Sequence, residues 1–278
     1  MTRLGIERLN ELGDRENNED AIYPALGQEV HHYQRLFLVC DGVGGQEKGE
    51  VASVLLSQAF SEYVEANSHE ASLHKALCHA EEQMVQTMQQ RPETQGMATT
   101  LTALYFDAAH RSAQVAWVGD SRAYHIRDGR ILFKTKDHSE VQSLIDMGEI
   151  TSEEAMMHPK RNIITRAING KVSAQMDHQL IANISVGDYF LLCTDGLMET
   201  LHEPEFPEIF KAERGAEAIR QLLLDKALGH TKDNFSMYLI QVKQMSEATD
   251  ASEEAEVATE VQLRARQKAH PYFSKGSS

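Results

Sequence analysis

Five stretches of this sequence place carboxylates where an apolar segment should give way to a turn. They are Glu19-Asp20 in RENNEDA, Asp41 in VCDGVGG, Asp120 in VGDSRAY, Asp195 in LLCTDGL and Asp233 in TKDNFS. Burying an ionised carboxylate without a partner costs several kcal/mol, so buried strands should not end in unpaired acids. A divalent cation is one partner that several carboxylates can share. The candidate donors are all oxygen, and the thirteen histidines form no HxxxH or HxH pair. Hard oxygen ligands select Mg²⁺, Mn²⁺ or Ca²⁺ over Zn²⁺ or Cu²⁺. Gly42 lets the backbone come close, which makes its carbonyl a further candidate ligand. DGVGG lacks the Gly-Lys-Ser/Thr ending of a phosphate-cradling loop. There is no Cys-x5-Arg nucleophile motif, and Cys40 and Cys193 lie inside apolar runs, where they read as small core residues.

The elements that must carry these groups are legible in the patterning. Arg35–Cys40 is a short apolar run that delivers Asp41 to a turn. Further strands are expected at Thr99–Phe106, Ala113–Val118, Arg122–Arg127, Ile131–Phe133, His178–Ile184, Tyr189–Cys193 and Ser236–Val242, with Asp128-Gly129 as a hairpin turn. Helical spacing covers 48–67, then 71–90 with Leu73, Leu77, Met84 and Met88 on one stripe, then about 140–147 and 216–228. The stretch 148–162 is polar, contains Pro159 and reads as a loop-rich excursion. Many strands with helices bunched in blocks predict an α+β layered sandwich, not a βαβ alternation.

Composition sets outer bounds. The chain has 278 residues, enough for one domain of roughly 230–250 residues and a tail. It carries 27 basic and 42 acidic residues, a net of −15, which argues against binding nucleic acid or an anionic membrane. Three cysteines with no CxxC spacing point away from disulfides and zinc and toward a reducing cytoplasm. No run of about 18 apolar residues is present, and the first fourteen lack the apolar core of a signal peptide.

Taken singly, an Asp-Gly after a strand is an ordinary turn. The specific signal is joint order: RENNED (15–20), DGVGG (41–45), ATTL (98–101), GDSRAY (119–124), TKDHS (135–139), TRAING (165–170), GDYFLLCTDGL (187–197) and KDNFS (232–236). In that order these motifs resemble the metal-dependent type 2C serine/threonine protein phosphatases, most closely the bacterial members, over about residues 4–242. The resemblance implies a four-layer α-β-β-α sandwich of two antiparallel sheets, with a small flap subdomain at about 139–168. It implies two Mn²⁺ or Mg²⁺ ions, with a weaker third in some relatives. By position, Asp41 would bridge two metals, Asp195 and Asp233 would complete the first, and Glu19 and the Gly42 carbonyl would hold the second. Asp120 would share the third with Asp195. Asp20 would hydrogen-bond metal-bound water, and Arg15 would grip the substrate phosphate as a guanidinium fork.

The implied activity is hydrolysis of phosphoserine and phosphothreonine by a metal-bridged water, opposing a bacterial eukaryote-like kinase. Two competing classes are a phosphoprotein-binding module without turnover and a phosphatase for anti-anti-sigma factors. The first is opposed by the presence of every expected ligand, the second by the strength of the RENNED, GDSRAY and KDNFS matches. One departure is Val43, where eukaryotic relatives often carry a histidine acid after Asp-Gly. His138 is the tempting substitute, but a hydrogen-bonding role is the expectation. The catalytic domain is expected to span 1–243 and to act as a monomer on phosphorylated proteins. From about Gln244 the Ala-, Glu-, Ser- and Thr-rich composition predicts a disordered tail.

Overall fold

Burial on both faces explains the central strands. The computed structural model describes residues 2–43, 47–67, 72–107, 111–171, 173–211 and 213–245. Its strands are β1 (Arg3–Glu11), β2 (Asp20–Tyr23), β3 (Leu36–Val43), β4 (Ala98–Thr99), β5 (Leu101–Asp107), β6 (Ser112–Val118), β7 (Arg122–Arg127), β8 (Arg130–Lys134), β9 (Asp177–Ile181), β10 (Tyr189–Cys193) and β11 (Phe235–Gln244). Its helices are α1 (Glu47–Ala66), α2 (Leu73–Gln90), α3 (Glu140–Asp146), α4 (Ser152–Met156), α5 (Asp195–Met198), α6 (Phe206–Ile209) and α7 (Ala216–Ala227).

Two antiparallel sheets result, one ordered β1-β11-β10-β7-β8 and the other β2-β3-β5-β6-β9, with β4 paired to β3. In β10, Tyr189, Leu191 and Cys193 face α5, α6 and α7, whereas Phe190 and Leu192 face the other sheet. In β3, Leu36, Leu38 and Cys40 face α1 and α2, whereas Phe37 and Val39 enter the inter-sheet core. A strand buried on both faces needs a continuous apolar run, which is why these two strands were plain in the sequence. The layers are therefore helix, sheet, sheet, helix, as the resemblance implied.

The helix boundaries have local causes. Ser72 caps α2 by accepting the Lys75 N–H, and Leu73, Ala76, Leu77, Ala80, Met84 and Met88 form its buried stripe. Asp128 (φ 49°) and Gly129 (φ 72°) both sit in the left-handed region required by the tight β7–β8 hairpin. The stretch expected to be loop-rich contains α4, started by a reciprocal capping box between Thr151 and Glu154. With α3, it forms a small excursion rooted by single bridges, Ser139 to Ile164 and Thr99 to Ile168. The expected tail falls on residues 246–278, outside the described residues.

Candidate active site

Five strand ends meet at one rim of the sandwich. Asp20 opens β2 and lies directly across from Asp41 near the end of β3. Side chains alternate along a strand, so Asp20 shares a face with Ile22, and Asp41 with Phe37 and Val39, in the inter-sheet core. Asp120 occupies the turn between β6 and β7, Asp195 follows β10 as the first residue of α5, and Asp233 immediately precedes the turn into β11. The carboxylates thus cap one end of the inter-sheet core, drawn from both sheets.

Hydroxyls and backbone groups fix them there. The Asp41 N–H donates to Thr100 Oγ1 at 3.0 Å, and the Asp41 carbonyl accepts from the Thr100 N–H and Thr99 Oγ1, both at 2.8 Å. Thr194 Oγ1 reaches across the sheets and donates to Asp20 Oδ2 at 2.9 Å. Gly42 is required by close approach: a Cβ there would lie 2.3 Å from the Gly49 carbonyl oxygen and 2.6 Å from that of Glu19. The Gly42 N–H also donates to the Glu19 carbonyl at 3.0 Å, which locks Glu19 beside Asp41.

Burial and mutual repulsion push Asp20, Asp41, Asp120 and Asp195 up. Burial raises Asp20 to about 7, partly offset by the Ser236 and Thr194 hydroxyls and reinforced by Asp195 and Asp233. Burial, then Asp195 and Asp137, take Asp120 to about 8. Burial, then Asp233, takes Asp195 to about 6. Asp41 stands well above the ordinary carboxylate range, from burial and then from Asp20, Asp195, Asp120 and Asp233. Glu19 is raised too, by burial and against the pull of Arg15.

Such a set fits a hard divalent cation. Its donors are oxygens, and like charges are forced together in a largely buried rim. As the side chains stand, no three His, Cys, Asp or Glu groups among the described residues close around one point. Both oxygens of Asp233 are engaged: its Oδ2 accepts from Arg15 Nη2 at 2.6 Å and its Oδ1 from the Asn234 N–H at 2.8 Å. Glu19, Asp20, Asp41, Gly42, Asp120, Asp195 and Asp233 therefore lie near one rim, with Arg15 on its solvent side.

Other positions were less visible. His138 takes the hydrogen-bonding place expected of it: its Nδ1 accepts the Gly119 N–H at 3.0 Å, and its Nε2 lies 3.3 Å from Asp177 Oδ2 and 3.2 Å from Arg166 Nη1. Arg166 pairs with that same Asp177 at 3.0 Å, and Arg161 is exposed. Met147, Met156 and Met157 are 71%, 60% and 84% exposed. Cys40 and Cys193 are buried, with burial pushing both thiols up, Cys193 to about 12. Sequence reasoning passed over two supports. Arg122 donates from Nε and Nη2 to Asp137, at 2.9 and 2.7 Å, behind Asp120. Asn234 ties the Arg15 loop to β11. The only signal for either was membership of the GDSRAY, TKDHS and KDNFS motifs.

The family model for protein phosphatase 2C matches residues 11–228. The chain belongs to the protein phosphatase 2C family. It is 33% identical to the serine/threonine phosphatase stp of Listeria welshimeri over 227 residues, 79% of this chain and 89% of that protein. It is 34% identical to the serine/threonine protein phosphatase PstP of Mycobacterium tuberculosis over 236 residues, 82% of this chain but 43% of that protein's length. Among solved structures, it resembles the catalytic domain of PstP in complex with two manganese ions, with a TM-score of 0.71 and 30% identity over 88% of this chain and all of that one. The family's bacterial branch and its fold are thus those that the eight motifs implied.

Proposed function

We propose that this chain hydrolyses phosphoserine and phosphothreonine monoesters in proteins. The observation that carries the reading is the convergence of Asp20, Asp41, Asp120, Asp195 and Asp233 from five strand ends on one largely buried rim, with Arg15 beside them. In this reading Asp41, Asp195 and Asp233 would hold one cation, Glu19 and the Gly42 carbonyl would join Asp41 in holding a second, and Asp120 with Asp195 would hold a weaker third. Bound Mn²⁺ or Mg²⁺ lowers the pKa of water and offsets charge that builds on the phosphoryl oxygens. The PstP structure with two manganese ions supports two principal positions.

The chain's own groups do the rest. Asp20, held by Thr194 Oγ1 and raised by burial, is an acceptor for the attacking water, aimed from inside the rim. Arg15 is 55% exposed by side chain and engages Asp233 through one terminal nitrogen only, so its other donors face solvent, where a phosphate arrives. Val43 takes no part in proton transfer, so the leaving alcohol takes its proton from water.

Phosphorylated proteins, including those modified by a cognate serine/threonine kinase, are the substrates of this reading, and the catalytic unit is 1–243, acting as a monomer. Three free cysteines, two of them buried, support a reducing, cytoplasmic setting. Among the described residues no helix is long and apolar enough to cross a membrane. The test is hydrolysis of p-nitrophenyl phosphate and of a phosphothreonine peptide in chelator, Mg²⁺ or Mn²⁺, with Asp233→Ala as control. Turnover that needs the cation and disappears in the variant is expected; a folded wild-type protein inert under every condition would sink the reading.

A further inference from the structure

The loop that carries Arg15 has little apolar anchorage. Residues 14–17 are exposed, and Leu12 is 42% exposed. One side chain from the far end of the chain holds it instead. Asn234, 4% exposed, donates from Nδ2 to the Leu12 carbonyl at 2.7 Å and to the Asn17 carbonyl at 2.9 Å. Its Oδ1 accepts the Glu19 N–H at 2.8 Å. Both amide hydrogens and the amide oxygen are therefore committed to the two ends of this loop. Gly13 completes the fit: at φ 60° it brings the loop so near the β11 turn that a Cβ would lie 2.0 Å from the Asp233 carbonyl oxygen. Arg15, between the two tied ends, then meets the Asp233 side chain.

We infer that Asn234 is a positioning residue that sets where the Arg15 guanidinium stands over the carboxylate rim, and thereby how tightly substrate phosphate is gripped. The inference rests on the phosphatase reading of the site. A long, exposed arginine on a loop without a core would sample many positions, and binding would then carry the cost of ordering it. Asn234 removes that freedom beforehand by supplying the loop's backbone with partners that water would otherwise provide. The residue touches neither phosphate nor reacting atoms; it acts through Arg15.

The test compares Arg15→Ala, Asn234→Asp and the double variant in the full chain, using p-nitrophenyl phosphate with Mn²⁺. Aspartate keeps the shape and an acceptor for the Glu19 N–H but turns an oxygen on the Leu12 and Asn17 carbonyls. The expected result for Asn234→Asp is a KM raised about tenfold with kcat held within about threefold. The double variant should be no worse than Arg15→Ala alone, because two residues acting through one contact do not add. Gly13→Ala, which disturbs the same contact from the loop side, takes the place of Asn234→Asp if thermal melting shows the latter unfolded. An unmoved KM in folded variants, or effects that multiply in the double variant, overturns the inference while leaving the phosphatase reading intact. A wild-type chain inert with every cation removes that reading and this inference together.

Discussion

Replacing Asp188 by asparagine should weaken the fold without touching turnover, because this carboxylate lies at the end of the sandwich opposite the acidic rim. It precedes β10, whose other end leads into Asp195, and its side chain is fully buried. It accepts from Arg127 Nε at 2.6 Å and Nη2 at 2.8 Å, from the Ser185 N–H at 2.9 Å, and bonds His125 Nε2 at 2.8 Å. Burial alone would raise its pKa, but Arg127, His125 and the Ser185 N–H outweigh it and bring it from 3.8 down to about 2. At about 1.4 kcal/mol for each tenfold in acid dissociation, that preference for the charged form stabilises the fold by about 2 kcal/mol. For a domain of this size the loss corresponds to a Tm lower by about 4–8 °C. The depressed pKa sets the sign: the contribution is full above the unfolded value near 3.8 and is lost as pH falls to about 2. Urea melts of wild type and Asp188→Asn between pH 7 and 3 measure it, alongside turnover near pH 7.5. The gap should be constant above about pH 5 and begin to close below pH 4. Stabilities within about 0.5 kcal/mol of each other at pH 7 would refute the reasoning, as would a gap that widens in acid.

The remaining expectations concern the rim. Mn²⁺ at about 100 times its Kd should raise Tm by the equivalent of about 2.7 kcal/mol, and Asp195→Ala should abolish both that rise and turnover; calorimetry with and without metal reads it. In excess chelator the signs run opposite to Asp188: the raised Asp20, Asp195 and Asp120, at about 7, 6 and 8, confer stability that is lost as pH rises through those values. Denaturant midpoints should therefore fall from pH 6 to 8 in chelator, and a flat profile would contradict the crowding of these acids. Gly42→Ala forces a Cβ to 2.3 Å from the Gly49 carbonyl oxygen, so it should cost about 1–3 kcal/mol and most of the turnover, as melts and assays on one preparation would show. A chain ending at Met245, just past β11, should keep wild-type Tm and turnover on p-nitrophenyl phosphate.

Legibility in the sequence followed burial. β10 coincides with the segment expected from its apolar run and β7 with the one expected from its β-branched and aromatic content, because both faces of each strand meet core. β1 was passed over because it lies on a sheet edge and buries only Leu4 and Leu9, too few for a period to show. α5 is a single turn that begins at Asp195 itself, too short to carry a helical pattern. α4 could have been found, since Thr151 and Glu154 spell a capping box. At the site, residue types and motif order named the carboxylates. They could not show that Arg15 meets Asp233, a contact between residues 218 positions apart. Nor could they show Asn234 at work, because its partners are backbone groups that any sequence possesses.

The rim takes Asp20 and Asp41 from one sheet and Asp195 and Asp233 from the other, so its geometry is a vernier reading of how the two sheets slide over each other. What sets that reading is the aromatic filling between them, where Phe37 meets Phe106 and Tyr238 edge-on, at 6.1 and 5.1 Å between ring centres, and Phe106 meets Phe190 at 5.2 Å. A substitution in this filling that thins or skews the slab should misalign the acids before the fold itself gives way. On the proposed reading, variants of this filling should lose turnover before they lose melting temperature, with no residue of the rim altered.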